Sequence, residues 1–181
     1  MLLNTKKIVP LMMVAALGMA AAVAAMAGPD GRLVQFTRVD FAGLPFERAI
    51  KTVKGRGQRK LAVFSDPDCP YCKRLERDTL ARLDNVTIYT FLFPLDQHAD
   101  AARKATVIWC AGDRAKAWED WMQNGKLPAS SRTCAAPLAA NIETGNTLGI
   151  TGTPTMVTER GELVAGAVDI TTLEAKLGRS K

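Results

Sequence analysis

The chain has 181 residues, 48% of them hydrophobic, and a formal net charge of +6 from 24 basic and 18 acidic side chains. That length supports one domain with a real core and excludes two large ones, and four cysteines are too few for a disulfide-dense mini-protein. The positive charge is dispersed, with no long Lys/Arg block and no basic stripe interleaved with aromatics, so composition argues against nucleic-acid binding.

Lys6 and Lys7 open the chain's first readable segment. An apolar stretch follows from Ile8 to Ala27, broken by Pro10 and Gly18 and closed by Ala25-Met26-Ala27. A charged start, an apolar run and a small-residue A-x-A end predict a signal peptide over residues 1–27. About 20 apolar residues also suffice to span a bilayer. About half of this stretch is Ala and Gly, however, which inserts poorly, and the small-residue end favours cleavage. Without Lys6 and Lys7 the net charge falls to about +4. The predicted location is the periplasm, an oxidising compartment in which disulfides persist.

Residues 28–58 read as a short N-terminal extension of one strand and one helix. The strand lies within Arg32–Phe41, which partly alternates. The helix is expected over Leu44–Gly55, with Pro45 in its first turn, Phe46, Ala49, Ile50 and Val53 at three/four spacing, and Gly55 and Gly57 ending it. Residues 59–181 read as the catalytic domain. "KLAVFS" is a short apolar strand running into Cys69-Pro70-Tyr71-Cys72. A helix starts at Pro70, with Leu75, Leu80 and Leu83 as its apolar positions. Val86–Phe93 is β-branched and aromatic, a buried strand closed by Pro94. Helices are expected over Ala101–Ala111 and Ala115–Met122, with a third from near Pro137 to Gly149. "TGTPTMV" enters a strand, Gly161 turns the chain, "LVAGAV" returns, and "TTLEAKLG" closes as a helix. The result is an α/β layout with helices covering a central sheet.

The CxxC pair stands where a strand feeds a helix. That places Cys69 at the helix N-terminus, where unpaired N–H groups and the helix dipole stabilise a thiolate. Such motifs lower a thiol pKa from about 8.5 to roughly 3.5–7. Pro70 suits the first helical turn because it has no N–H to lose. Cys72, one turn inside, is placed to attack a mixed disulfide on Cys69. A zinc site needs about four ligands. The other cysteines stand at long spacings, and His98 is the single histidine, which leaves a redox dithiol as the better reading. An inert Cys69–Cys72 staple would close too short a loop to contribute much. Thr153-Pro154 lies just before a strand, where proline removes a ladder donor. Alone it is equally a turn into an edge strand; beside a CxxC, a cis-Pro loop that pairs with an extended substrate segment is the better reading.

Three blocks, "FSDPDCPYCKRLE", "IWCAGDRAKAWEDWM" and "LGITGTPTMV", occur in order over about Lys60 to Gly178. Together they resemble the catalytic domain of the DsbC/DsbG-type periplasmic thiol–disulfide interchange proteins. The resemblance implies a thioredoxin-like fold with a helical insertion. It further implies Cys69 as attacking thiol, Cys72 as resolving thiol, and Thr153 and Pro154 with Pro70 and Tyr71 as the surface facing substrate. No bound metal or organic cofactor is implied. The implied partners are disulfide-containing envelope proteins and a membrane redox protein, a DsbD-like reductase rather than an oxidase. Finally, it implies a structural disulfide between Cys110 and Cys134. Two leftover cysteines in an oxidising compartment usually pair, and closing their loop would contribute about 3–4 kcal/mol in the chain-entropy model.

Two departures from the family pattern stand out. The stretch from Gly28 to the catalytic domain is too short for the family's dimerisation domain, so a monomer or weak dimer with poor isomerase activity is expected. Thioredoxins proper carry a buried acid six residues before the first cysteine, where this chain has Val63. Asp66 and Asp68 are near the motif without an assigned direction, Asp68 being readable as a helix-start residue. His98 reads as a surface loop residue. The rival functions are a dedicated reductase in cytochrome maturation and a redox-independent chaperone that holds unfolded chains.

Overall fold

The computed structural model describes residues 38–129 and 134–178, with the two-residue strands β1 (Met26–Ala27) and β2 (Leu33–Val34). β1 and β2 pair antiparallel with each other. The rest of the expected signal peptide lies outside the described residues, as do Arg32 and residues 35–37 of the stretch Arg32–Phe41 expected to hold a strand; Leu33–Val34 is extended and residues 38–41 form no strand.

Beyond residue 37 the chain builds one five-stranded sheet. Its strands are β3 (Ile50–Lys54), β4 (Arg59–Ser65), β5 (Val86–Leu92), β6 (Thr155–Thr158) and β7 (Leu163–Ala165). They lie side by side in the order β3-β5-β4-β6-β7. β4 and β5 run parallel, and every other neighbouring pair is antiparallel. A parallel pair needs a crossover, which α1 (Pro70–Asp78) supplies. The remaining helices are α2 (Ala101–Trp109), α3 (Arg114–Asn124), α4 (Leu138–Thr147) and α5 (Ile170–Leu177). The α/β layout expected from the sequence is the one observed.

β4 is apolar on both faces, as a central strand between two helical layers must be. Leu61 and Val63 point one way and pack with Leu75 of α1, Ile88, Met156 and Leu173 of α5. Ala62 and Phe64 point the other way and pack with Phe91, Phe93, Ile150 and Val157. Phe64 stacks on Phe91, its register partner in β5, at 4.8 Å between ring centroids. Each of these fully buried rings stabilises the fold by about 2–3 kcal/mol. A third cluster gathers Trp109, Trp118 and Met122 from α2 and α3 around Cys69 and Cys72. The helical insertion therefore sits against the end of the sheet that carries the dithiol.

The helix expected over Leu44–Gly55 is not formed. A single 3-10 turn spans Phe46–Arg48, and Ile50–Lys54 is strand β3, paired antiparallel along its length with β5. The three/four spacing that suggested a helix arises because Phe46 and Ala49 belong to the turn and Ile50 begins the strand. β-branched Ile50, Thr52 and Val53 favour extended backbone, and pairing with β5 decides the outcome. Val53, expected on a buried helix face, is 54% exposed. The central sheet therefore begins within the segment assigned to an N-terminal extension.

α4 approaches the sheet closely at Gly145. A Cβ there would overlap the Phe93 ring. In an exposed helix Gly→Ala gains about 1 kcal/mol. Here Gly145→Ala is expected to lower stability instead, by about 1–3 kcal/mol, because a close-packed interior cannot absorb the added methyl. Urea unfolding of the variant beside its parent measures the sign; a stabilised variant would contradict the packing.

Candidate active site

β4 ends at Ser65, and the turn from Asp66 to Asp68 leads directly into α1. The site thus lies at the carboxyl end of a central strand, where open α/β sheets place their chemistry. Cys69 is the N-cap of α1, with extended backbone (φ −67°, ψ 121°), and Pro70 occupies the first helical turn. Cys72 lies one turn inside and is fully buried. Both cysteines are free thiols in this structure.

Cys69 is less open than its helix-start position suggested: the residue is 4% exposed, against 0% for Cys72. Its neighbours Pro70 and Tyr71 hold the surface, Tyr71 at 61% exposure. The Thr153–Pro154 peptide bond is cis. In the thiol form, Cys69 Sγ donates to the Thr153 carbonyl oxygen at 3.4 Å. The Asp66 backbone N–H donates to Cys72 Sγ at 3.5 Å. The structure thus brings Cys69, Cys72 and Thr153 together, with Pro154 buried beside Thr153.

The two sulfurs differ sharply in acidity. The Cys69 thiol is lowered to about 5, chiefly by the hydrogen bond from the Cys72 side chain. The Cys72 and Tyr71 N–H groups add to this, against burial. These donors are what a thiolate at a helix N-terminus needs. The Cys72 thiol is pushed far up, first by burial and then by its bond to Cys69, which takes the shared proton's benefit. One thiolate is therefore available at neutral pH, and it belongs to Cys69.

Asp66 was not assigned a direction from sequence, and it is the most heavily used side chain at the site. Fully buried, it accepts from the N–H groups of Asp68 (2.6 Å) and Cys69 (3.1 Å) through Oδ1. Oδ2 accepts from Leu95 N–H (2.7 Å) and lies 2.9 Å from His98 Nδ1. His98 is therefore not the bare surface loop residue its sequence position suggested. Asp68 is held by Lys104 of α2 at 2.7 Å. A polar residue placed directly at the end of an apolar strand was the available signal for Asp66; nothing local pointed to His98.

α3 completes the surround. Trp121 Nε1 donates to the Pro67 carbonyl oxygen at 2.6 Å, bracing the turn before Cys69. Lys73 and Lys104 sit over the Trp121 ring at 4.6 and 4.9 Å from its centroid. Trp118 Nε1 donates to Glu76 Oε1 at 2.7 Å, tying α3 to α1. Cys110, the C-cap of α2, is disulfide-bonded to Cys134, with a Cα–Cα distance of 5.6 Å. Among the described residues no group of His, Cys, Asp and Glu is arranged to hold a metal ion.

Residues 46–181 match the thioredoxin-like domain family. A disulfide interchange protein from Neisseria gonorrhoeae, whose crystal structure is known, superposes with a TM-score of 0.70 at 45% identity, covering 74% of this chain and 96% of that one. The chain belongs to the DsbC-type thiol:disulfide interchange family. A probable DsbC of Bordetella pertussis is 44% identical over 146 residues, which is 81% of this chain and 51% of that protein. DsbC of Escherichia coli K12 is 35% identical over 111 residues, 59% of this chain and 45% of that protein. The chain spans about half the length of the curated relatives it matches. The family and the thioredoxin-like fold agree with the resemblance read from the three sequence blocks.

Glu76 gives this DsbC-type domain a titration of its own. Burial pushes its carboxyl up to about 7, with the Trp118 N–H and the Lys54 charge opposing and the Glu119 charge adding. A carboxyl raised in the folded state contributes stability that is fully present below the unfolded value of about 4.5. That stability is lost as pH rises through about 7. Glu76→Gln keeps an acceptor for Trp118 and removes the charge. Its expected effect is a gain of about 1–3 kcal/mol at pH 8 and none at pH 4, read as thermal midpoints across that range. Parallel pH curves for parent and variant would show that Glu76 is not the titrating group.

Proposed function

We propose that this chain is a thiol–disulfide oxidoreductase of the periplasm, carried there by residues 1–27 as a signal peptide. No helix among the described residues is long and apolar enough to cross a membrane. The observation that carries the reading is the asymmetric dithiol: a thiol lowered to about 5 at the start of α1, backed by a fully buried second thiol.

In the proposed cycle the Cys69 thiolate attacks one sulfur of a client disulfide. A Cys69–client bond forms, the client S–S bond breaks, and the client's other sulfur leaves as a thiolate. For reduction, Cys72 gives up its proton and attacks Cys69 Sγ. The mixed disulfide breaks, the Cys69–Cys72 disulfide forms, and the client leaves reduced by two electrons. For isomerisation, another client thiolate displaces Cys69 instead, and no net electrons move. Burial holds the proton on Cys72, which keeps it from resolving the intermediate too early. Pro70 and the exposed Tyr71 frame the entry, and the Thr153 backbone, beside Cys69 Sγ, is placed to pair with an extended client segment. The proposed clients are disulfide-containing envelope proteins. A reductase must be recharged after each turnover and an isomerase must be kept in its dithiol form, and a DsbD-like membrane reductase fits either need.

Thiol trapping of the protein in growing cells tests the direction. Cys69 and Cys72 trapped mostly as thiols support isomerase or reductase work. A mostly oxidised pair would replace this reading with that of a thiol oxidase.

A further inference from the structure

Two carboxylates flank the turn that carries Cys69, and each has its own cation. Asp68 is held by Lys104, which is also 3.4 Å from Asp100. Hydrogen bonding to Asp68 raises the Lys104 ammonium above its usual value, so this pair stays neutral throughout the neutral range. Further out, Asp100 is matched by Arg103 at 2.7 Å, and Lys73 is spent on the Trp121 ring. Asp66 has a different cation, His98, at 2.9 Å. Histidine is the ordinary side chain that changes charge between about pH 5 and 8. The charge behind Cys69 therefore depends on one proton: with His98 protonated the two pairs cancel, and with His98 neutral one buried negative charge remains.

That charge is coupled to the sulfur through the backbone. Asp66 Oδ1 binds the N–H of Cys69 itself, and Oδ2 binds Leu95 and His98 across the loop that enters α2. We propose that Asp66 and His98 form a positioning pair for Cys69, in which Asp66 holds the turn presenting the sulfur and the charge of His98 sets how strongly the site favours the thiolate. The proposal rests on Cys69 being the attacking thiol.

The coupling is reciprocal. A thiolate at Cys69 favours protonated His98, and a Cys69–Cys72 disulfide removes that preference. His98 is raised above its ordinary value first by the Asp66 bond, with the charges of Asp66, Cys69 and Asp68 adding and partial burial opposing. When Cys69 is oxidised, His98 loses the Cys69 contribution and keeps the two aspartates. The redox state of the dithiol is thereby written into the protonation of a side chain 22% exposed to solvent.

The chain has one histidine, so one imidazole signal in an NMR pH titration reports on it directly. The expected midpoint is higher in the dithiol form than in the Cys69–Cys72 disulfide form, by about half a pH unit or more, as one nearby charge at surface-like dielectric implies. His98→Gln keeps a donor for Asp66 without the charge. Below the His98 midpoint it should raise the Cys69 thiolate titration, followed by ultraviolet absorbance, by a similar amount. His98→Lys should restore the low value. Asp66→Asn should bring the His98 midpoint down towards about 6.5. Equal His98 midpoints in the two redox forms, or an unchanged Cys69 titration in His98→Gln, would overturn the pair. Both readouts are titrations and need no turnover. A coupled pair in a protein without exchange activity would therefore sink the proposed function alone, and an active protein without coupling would sink the pair alone.

Discussion

Cys69→Ser is expected to lower thiol–disulfide exchange by a factor on the order of 10³ or more, the scale seen when a nucleophile is deleted. Cys72→Ala, in contrast, should accumulate mixed disulfides with client proteins. The two outcomes follow from one geometry. The Cys69 sulfur is a thiolate down to about pH 5, while burial and the bond to Cys69 keep the proton on Cys72. Without Cys72 the first attack proceeds and nothing resolves it. The order of reaction can be seen without a client. Iodoacetamide at pH 6 should label Cys69 and leave Cys72, and the rate at Cys69 should fall as pH drops through about 5. Labelling of Cys72 first would reverse the assigned roles. If Cys69→Ser lost exchange yet still suppressed aggregation of a cysteine-free client, a holding activity would stand beside the redox one.

The second large effect is expected from opening Cys110–Cys134. The bond joins residues 24 apart in sequence and encloses all of α3. The chain-entropy model assigns about 3–4 kcal/mol to a loop of that size. α3 also delivers Trp118 to Glu76 and Trp121 to the Pro67 carbonyl. Replacing both cysteines by serine should therefore lower the urea midpoint and loosen the braces on the turn before Cys69. Non-reducing peptide mapping should find the Cys110–Cys134 link surviving mild reductant that opens Cys69–Cys72, because Cys110 is 6% exposed and lies against Trp109. An unchanged urea midpoint in the double variant would show that the loop is ordered without the bond.

Local chemistry was legible in the sequence. Cys69 and Cys72 needed only their spacing and the apolar run before them, and β4, β5 and the helices follow from short-range pattern, except that α1 ends at Asp78, leaving Leu80 in a 3-10 turn and Leu83 extended. β3 was misread because Phe46, Ala49, Ile50 and Val53 mimic a helical face. The deciding term, pairing with β5, involves residues from Val86 to Thr90. The surround of the dithiol was hidden for the same reason. Asp66 meets His98 across 32 positions, and Glu76 meets Trp118 across 42. No window of sequence contains such a pair. The burial of Cys69 was not legible because a helix start says where backbone donors point and nothing about what lies over the sulfur.

β3 has one further consequence. Among the described strands it is the outermost of the five-stranded sheet, paired with β5 alone, and its residues are Ile50, Lys51, Thr52, Val53 and Lys54. An open strand is a template on which other extended chains can stack, and lysines are a common means of discouraging that. Lys51 is exposed, and Lys54 reaches back to the Leu80 carbonyl oxygen at 2.8 Å. A protein proposed to meet unfolded polypeptides would be in constant danger of co-aggregating with them along such an edge. Two positive charges in five residues repel the same two charges on a second copy, so β3 is a poor template for stacking one molecule on another along this edge.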